Sequence, residues 1–490
     1  MNAALDRQQV QGLRSDRGAH DGLTGVGGLL EGDLRPAAPP LPDPAQWPDM
    51  DGSTFAAVDH ISVLSAAGIN STYVQVSRTV PFKHREDWAG AVALVVSAAL
   101  QAAPGSLAQV RGFKMVLMLP ALLLRRGTRG GRRGVAEFAW RFRLWGQQRY
   151  GELVRSWERD CESQEPGQAT LDGDSAALLR RVEELMARGK VSDAAQLMRS
   201  HGVASVHDPD VLDQMRAKHP RRRHDVEALP AGLQGEPRLC IEEGDVSRVF
   251  CGLPTYKGRG PSAWRYEFLR AVAHPQHFTG TQARGVLGSM AAFATTFVNG
   301  ELPAWFYFVF SAVRCVPLLK SATGPGEVPQ ARPVGISCAL RRALTKTAFQ
   351  RSDVKAQLAA ALAPEQLGVA VPAGGTKLVF AVREFLDASP QCCVIRLDIR
   401  NAFNEIRRSA LLQHVAGVQG MAWLARLLHA TLSWEAPVVG GGGGGLPPCW
   451  TSLVPLASSR GQWRALLLSL WACSPAWLGL RLRWARVVAW

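Results

Sequence analysis

The residues best placed to do chemistry are Asp398 and its neighbours in the segment Val394-Ile395-Arg396-Leu397-Asp398-Ile399-Arg400-Asn401-Ala402-Phe403-Asn404-Glu405-Ile406. This stretch reads as a short apolar strand that ends in a carboxylate and turns at once into a helix. A carboxylate at such a strand end costs desolvation unless it gains a partner, and a divalent cation is the usual one. Asp398 is therefore a candidate metal ligand, and the backbone carbonyl of Ile399 could add a second oxygen. Phe403 places a flat ring at the start of the helix. The competing reading is an Asp helix cap followed by a core Phe, which any α/β protein can contain.

The elements that must hold these residues lie in a chain of 490 residues, long enough for two or three domains and a sizeable core. Hydrophobic residues make up 47%, an ordinary share for a globular protein. The formal net charge of +15 suggests a polyanionic partner such as nucleic acid, although membrane surfaces and plain solubility also produce such a balance. Nine cysteines occur without a Cys-x-x-Cys pair, and no His/Cys cluster has zinc-ligand spacing. That usage fits a reducing, intracellular compartment, nuclear or cytoplasmic. Residues 1–30 show no signal-peptide pattern. The apolar runs Ala91–Ala103 and Met115–Leu124 fall short of the roughly 20 residues that span a bilayer, so they are expected as buried helices with no membrane partner.

Residues 1–84 are rich in Pro and Gly and are expected to be irregular. Residues 85–205 are expected to form a helical N-terminal domain, with a helix over Trp88–Gln101 and a helical hairpin over 175–200 turning at Gly189-Lys190. Two basic stretches, 125–133 and 216–224, read either as solvated connectors or as phosphate contacts. Phe138, Trp140, Phe142 and Trp145, interleaved with Arg141 and Arg143, could stack bases, but helical spacing favours a core with snorkelling arginines. A basic linker over 206–235 precedes the informative part, residues 236–435, which includes an amphipathic helix at Gly374–Ala388. Six consecutive glycines, Gly440–Gly445, open a Trp- and Arg-rich tail, and residues 436–490 are expected not to fold natively.

Several of these segments resemble, in order and spacing, the reverse transcriptase domain of non-LTR (LINE-type) retrotransposons. Asp398-x-x-x-Ala402-Phe403 is similar to the first catalytic motif. Arg332-Pro333-Val334-Gly335-Ile336 through Lys346 is similar to a fingers motif, read as a strand, a cap at Ser337 and a basic helix. Leu318-Leu319-Lys320 is similar to the fingers motif before it. Pro261–Glu267, Asn299–Pro303 and Gln366–Gly375 are similar to further elements, so the resemblance covers roughly residues 255–415.

The resemblance implies an α+β, helix-dominated fold: right-hand polymerase fingers with an incomplete palm, preceded by a helical N-terminal region. It implies RNA-directed DNA synthesis with Mg²⁺, in which two metals bridge the attacking and leaving oxygens. The partners would be an RNA template, a DNA primer or target, and deoxynucleoside triphosphates. Asp398 would be catalytic and, with the Ile399 carbonyl, a metal ligand. Phe403 would lie under the incoming sugar, and Lys320, Arg332 and Arg341 would bind the triphosphate or template backbone. A solvated helix face is the competing reading for Arg341 and Arg342. The pattern departs from the family in two respects: the later Gly/Gln-rich motif and the Tyr/Phe-x-Asp-Asp hairpin are both missing. Beyond Asp398 the acids are Glu405 and Glu435, with no further Asp, so a two-metal site is expected not to assemble in this chain.

Overall fold

The computed structural model describes residues 55–69, 75–126, 132–163, 175–187, 189–204, 208–218, 228–320, 328, 330–362, 366–367, 371–394 and 407–440. All of them belong to one unit, Ala38–Trp490.

Helices α1 (Arg85–Gln101) and α2 (Leu107–Leu123) contain the two apolar runs. Glu86 and Asp87 occupy the first turn of α1, where unpaired N–H groups favour negative charge. Ser106 caps α2 by accepting the N–H of Gln109 at 3.2 Å. A Cβ at Gly112 would lie 2.7 Å from the Ala99 backbone, so the close crossing of α1 and α2 depends on that glycine. Next come α3 (Arg132–Gly146) and α4 (Tyr150–Ser163). The expected hairpin follows as α5 (Ser175–Met186) and α6 (Val191–Met198), with Gly189 turning at a φ of 68°. Further helices are α7 (Pro209–Ala217), α8 (Glu243–Cys251), α9 (Tyr266–Arg270), α10 (Val286–Val298) and α11 (Ala304–Phe310). The chain then forms strands β1 (Val313–Leu319) and β2 (Ala331–Ser337). Helices α12 (Ala339–Gln350), α13 (Ser352–Leu362), α14 (Gly374–Ala388), α15 (Arg408–Ala416) and α16 (Ala422–Leu432) lead to β3 (Val438–Gly440).

One core runs through residues expected to lie in separate domains. Trp88 of α1 donates its indole N–H to the Phe268 carbonyl at 3.0 Å. Phe113 of α2 stacks near Phe306 of α11, with centroids 4.5 Å apart. The fold therefore does not divide at 206–235. Residues 55–69 and 75–84, expected to be irregular, also join this core. Phe55, Val58, Ile61 and Val63 are buried, and Lys114 of α2 donates to the carbonyls of Val58 at 3.0 Å and Asp59 at 3.1 Å. A cation from a helix that is buried nearly all round holds this segment, and no periodicity in 55–84 signals it.

The sheet has the order β2-β1-β3, with β1 antiparallel to β2 and parallel to β3. Val313, Cys315, Ala331 and Val438 bury one face against Val211 and Met215 of α7. The coarse expectation of a helix-dominated α+β protein with a small sheet holds. The sheet is mixed, with one antiparallel and one parallel pair, and β3 falls in the tail that was expected not to fold. The strand expected over Val394–Leu397 is not seen at Val394, which is exposed, and 395–397 lie outside the described residues.

Candidate nucleic-acid interface

Strand alternation and register place the basic side chains of the β1–β2 ribbon. Arg314 pairs with Ile336, Val316 with Val334, and Leu318 with Arg332. These six residues therefore share the face turned away from α7. Lys320 continues the ladder beyond β1, donating its N–H to the Gln330 carbonyl at 2.9 Å. By alternation Lys320 falls on the same face as Arg332, as its diagonal neighbour, at a spacing of about 7–8 Å in an antiparallel pair. Both side chains are exposed, and neither has a hydrogen-bond or ion-pair partner among the described residues. Two motifs separated in sequence thus present adjacent cations.

The ribbon tolerates two prolines for a specific reason. Pro317 and Pro333 stand opposite each other. Odd-numbered residues of β1 direct their backbone groups away from β2: the Pro317 carbonyl accepts from Ala204 at 2.9 Å, and Leu319 donates to Gly202 at 3.1 Å. Neither proline therefore removes a β1–β2 hydrogen bond, and Pro333 lies on an outer strand where a missing donor is cheap. The outer edge of β2 is covered at Ala331 by α7: Gln214 accepts the Ala331 N–H at 3.1 Å, and Lys218 donates to the Ala331 carbonyl.

Helix α12 buries the first of its two arginines. Arg341 is 4% exposed and donates to the Ser311 carbonyl at 3.2 Å. Burial pulls its pKa down to about 10. In that position it ties α12 to the turn between α11 and β1, so the phosphate contact implied for Arg341 is corrected to a structural role. The solvated-face reading fails for Arg341; Arg342 is half-buried, lies over the Tyr266 ring at 4.8 Å and donates to the Gly258 carbonyl at 2.6 Å. The expected Ser337 cap is also replaced. Ser337 is buried, the N-cap residue is Cys338, and its side chain caps nothing. Gly260 packs so tightly on this turn that a Cβ would lie 2.5 Å from the Cys338 nitrogen. The 261–267 and 332–346 segments are therefore neighbours in space.

The basic stretch 125–133 opens on a buried arginine. Arg125 is 1% exposed, pairs with Asp160, and donates to Ser156 Oγ at 2.5 Å and the Leu122 carbonyl at 2.7 Å. Burial lowers its pKa despite the Asp160 pairing. Arg141 is buried against the Arg125 carbonyl and Glu137, and burial pulls its pKa down to about 10. Phe142 and Trp145 are core residues, so this region is core built around buried arginines rather than a base-stacking platform. Residues 127–131 and 219–224 lie outside the described residues.

Asp398, Ile399 and Phe403 also lie outside the described residues. Among the described residues, no group of three or more His, Cys, Asp or Glu could hold a metal ion. After Asp398 the acids present are Glu405 and Glu435. Arg314, which no motif singled out, shares the ribbon face; counting back by twos from Lys320 is the signal that finds it. No helix among the described residues is long and apolar enough to cross a membrane. No protein-family model and no curated protein matches the chain.

Proposed function

We propose that this chain derives from the reverse transcriptase of a non-LTR retrotransposon and acts by binding nucleic acid, without catalysing nucleotide addition alone. One observation carries the binding half: the β1–β2 register sets Lys320 and Arg332 side by side on one strand face, both exposed and without a partner among the described residues. Two cations at that spacing suit successive phosphate oxygens of an RNA template or a DNA primer. The same pair could hold the triphosphate of a deoxynucleotide in an intact relative. The catalytic half is incomplete because Asp398 supplies one carboxylate where two metals need several. Mg²⁺ chemistry is therefore not assigned to this chain.

Primer extension on a homopolymer RNA template, run beside an RNA-binding assay at low and high salt, tests both halves. Binding that weakens steeply with salt, with no extension, supports the proposal. Robust extension that disappears in Asp398→Ala overturns the non-catalytic half. Affinity that does not change with salt overturns the binding half.

A further inference from the structure

Cys251 ends α8, and its Sγ lies 3.2 Å from Nε2 of His274. The thiol is half-exposed and the imidazole is exposed. The loop carrying His274 is held independently of this contact, because Ser247 Oγ donates to the Ala273 carbonyl at 3.0 Å, one turn before Cys251. Two arginines and a second histidine lie on the same elements. Arg270 is exposed and donates to the Leu253 carbonyl at 2.8 Å, and the His277 ring lies 6.5 Å from that of His274. Arg248 lies one turn before the thiol with 66% of its side chain exposed. Its acid neighbour Asp245, 3.3 Å away, is shared with Arg351 at 2.7 Å. The Nε2 position beside Sγ is where a base would stand to take a thiol proton.

We propose that Cys251 and His274 form a modification site that exchanges with small anionic disulfides. His274 Nε2 takes the thiol proton and Sγ attacks one sulfur of the reagent. The reagent's S–S bond breaks as a mixed disulfide forms on Cys251, and the other half leaves as a thiolate that takes a proton from the imidazolium or from solvent. Arg248 and Arg270 attract the negative reagent. Cys315 and Cys338 are buried and out of reach, while Cys240 and Cys393 are exposed and serve as internal comparators.

The test uses the full chain with a limiting amount of a dianionic aromatic disulfide (dithiobis-nitrobenzoate) or a neutral one (dithiodipyridine), followed by peptide mass spectrometry. Cys251 is expected to react about tenfold faster than Cys240 with the dianionic reagent. His274→Gln should remove most of that advantage and leave Cys240 unchanged. Arg248→Gln should slow the dianionic reagent and not the neutral one. If His274→Gln unfolds the chain, the Cys251-to-Cys240 ratio of the unaltered protein and the Arg248→Gln comparison decide. Equal rates at Cys251 and Cys240, or equal slowing of both by His274→Gln, overturns the proposal.

Discussion

Trp264 donates its indole N–H to the carbonyl of Val116 at 2.8 Å, and that carbonyl is the one orphaned by Pro120 inside α2. A proline four residues on has no N–H to return to Val116, and its ring crowds the same oxygen. The tryptophan, fully buried, supplies the missing donor from a segment 148 residues away. The two parts of the chain are thus joined by a bond that the helix cannot make itself.

Trp264→Phe should destabilise the protein by about 1–3 kcal/mol, since a buried carbonyl loses its donor. Pro120→Ala restores a helical N–H to that position. In the Trp264→Phe background it should recover part of the loss, measured by chemical denaturation. Additive effects of the two substitutions would contradict this reading.

Lys114 gives a pH signature. Burial pulls its pKa down from 10.5 to about 8, with Arg111 adding to the shift and Asp59 opposing it. Between those values the folded protein has released a proton that the unfolded chain retains. Unfolded chains bind more protons there, so stability rises with pH through that window and levels off above it. Lys114→Met should flatten the rise, by an amount on the order of 1–3 kcal/mol. Unfolding free energies of both proteins across the window check it.

Arg125 and Asp160 separate a structural from a phosphate-binding role. Arg125 is buried and donates to Ser156 Oγ and the Leu122 carbonyl as well as to Asp160, which is 31% exposed, so Arg125→Ala should cost about 1–3 kcal/mol of stability through the buried acceptors left without a donor. RNA affinity of the folded fraction should stay unchanged, read by anisotropy well below the melting temperature. A loss of affinity without a loss of stability would restore the phosphate reading of that stretch.

Arg426 is expected to strap the segment before α8 onto α16. It donates to the carbonyls of Leu233 at 2.8 Å, Glu236 at 3.2 Å and Pro237 at 2.9 Å. The strap passes close to Gly300, where φ is 77° and a Cβ would lie 2.8 Å from the Arg426 carbonyl oxygen. Arg426→Ala should make 228–240 the first site of limited proteolysis, and Gly300→Ala should lower the melting temperature. First cleavage elsewhere in Arg426→Ala would count against the strap.

Elements with a local signature were legible in the sequence, while partners distant in sequence were not. The amphipathic period marked α14 with its observed bounds, and Gly189 marked the α5–α6 turn. The Arg332–Ile336 segment read correctly as a strand that leads into a helix. Arg125, Arg141 and Arg341 look like surface charges because sequence shows neither Asp160 nor the Ser311 carbonyl beside them. An amphipathic period does not show whether the apolar side is covered: in α14, Leu378 and Val379 are more than half exposed. Of the candidate site, Lys320 and Arg332 were found by motif, and their adjacency emerges only from the strand register.

The most direct measurement is the salt dependence of RNA affinity for the unaltered chain, Lys320→Ala, Arg332→Ala and the double variant. Each lost phosphate contact should lower the slope of log affinity against log salt by about 1, so the double variant should lose about 2. Melting temperatures should not change, because both side chains are exposed. Slopes that stay equal across all four proteins would show that the ribbon does not touch phosphate.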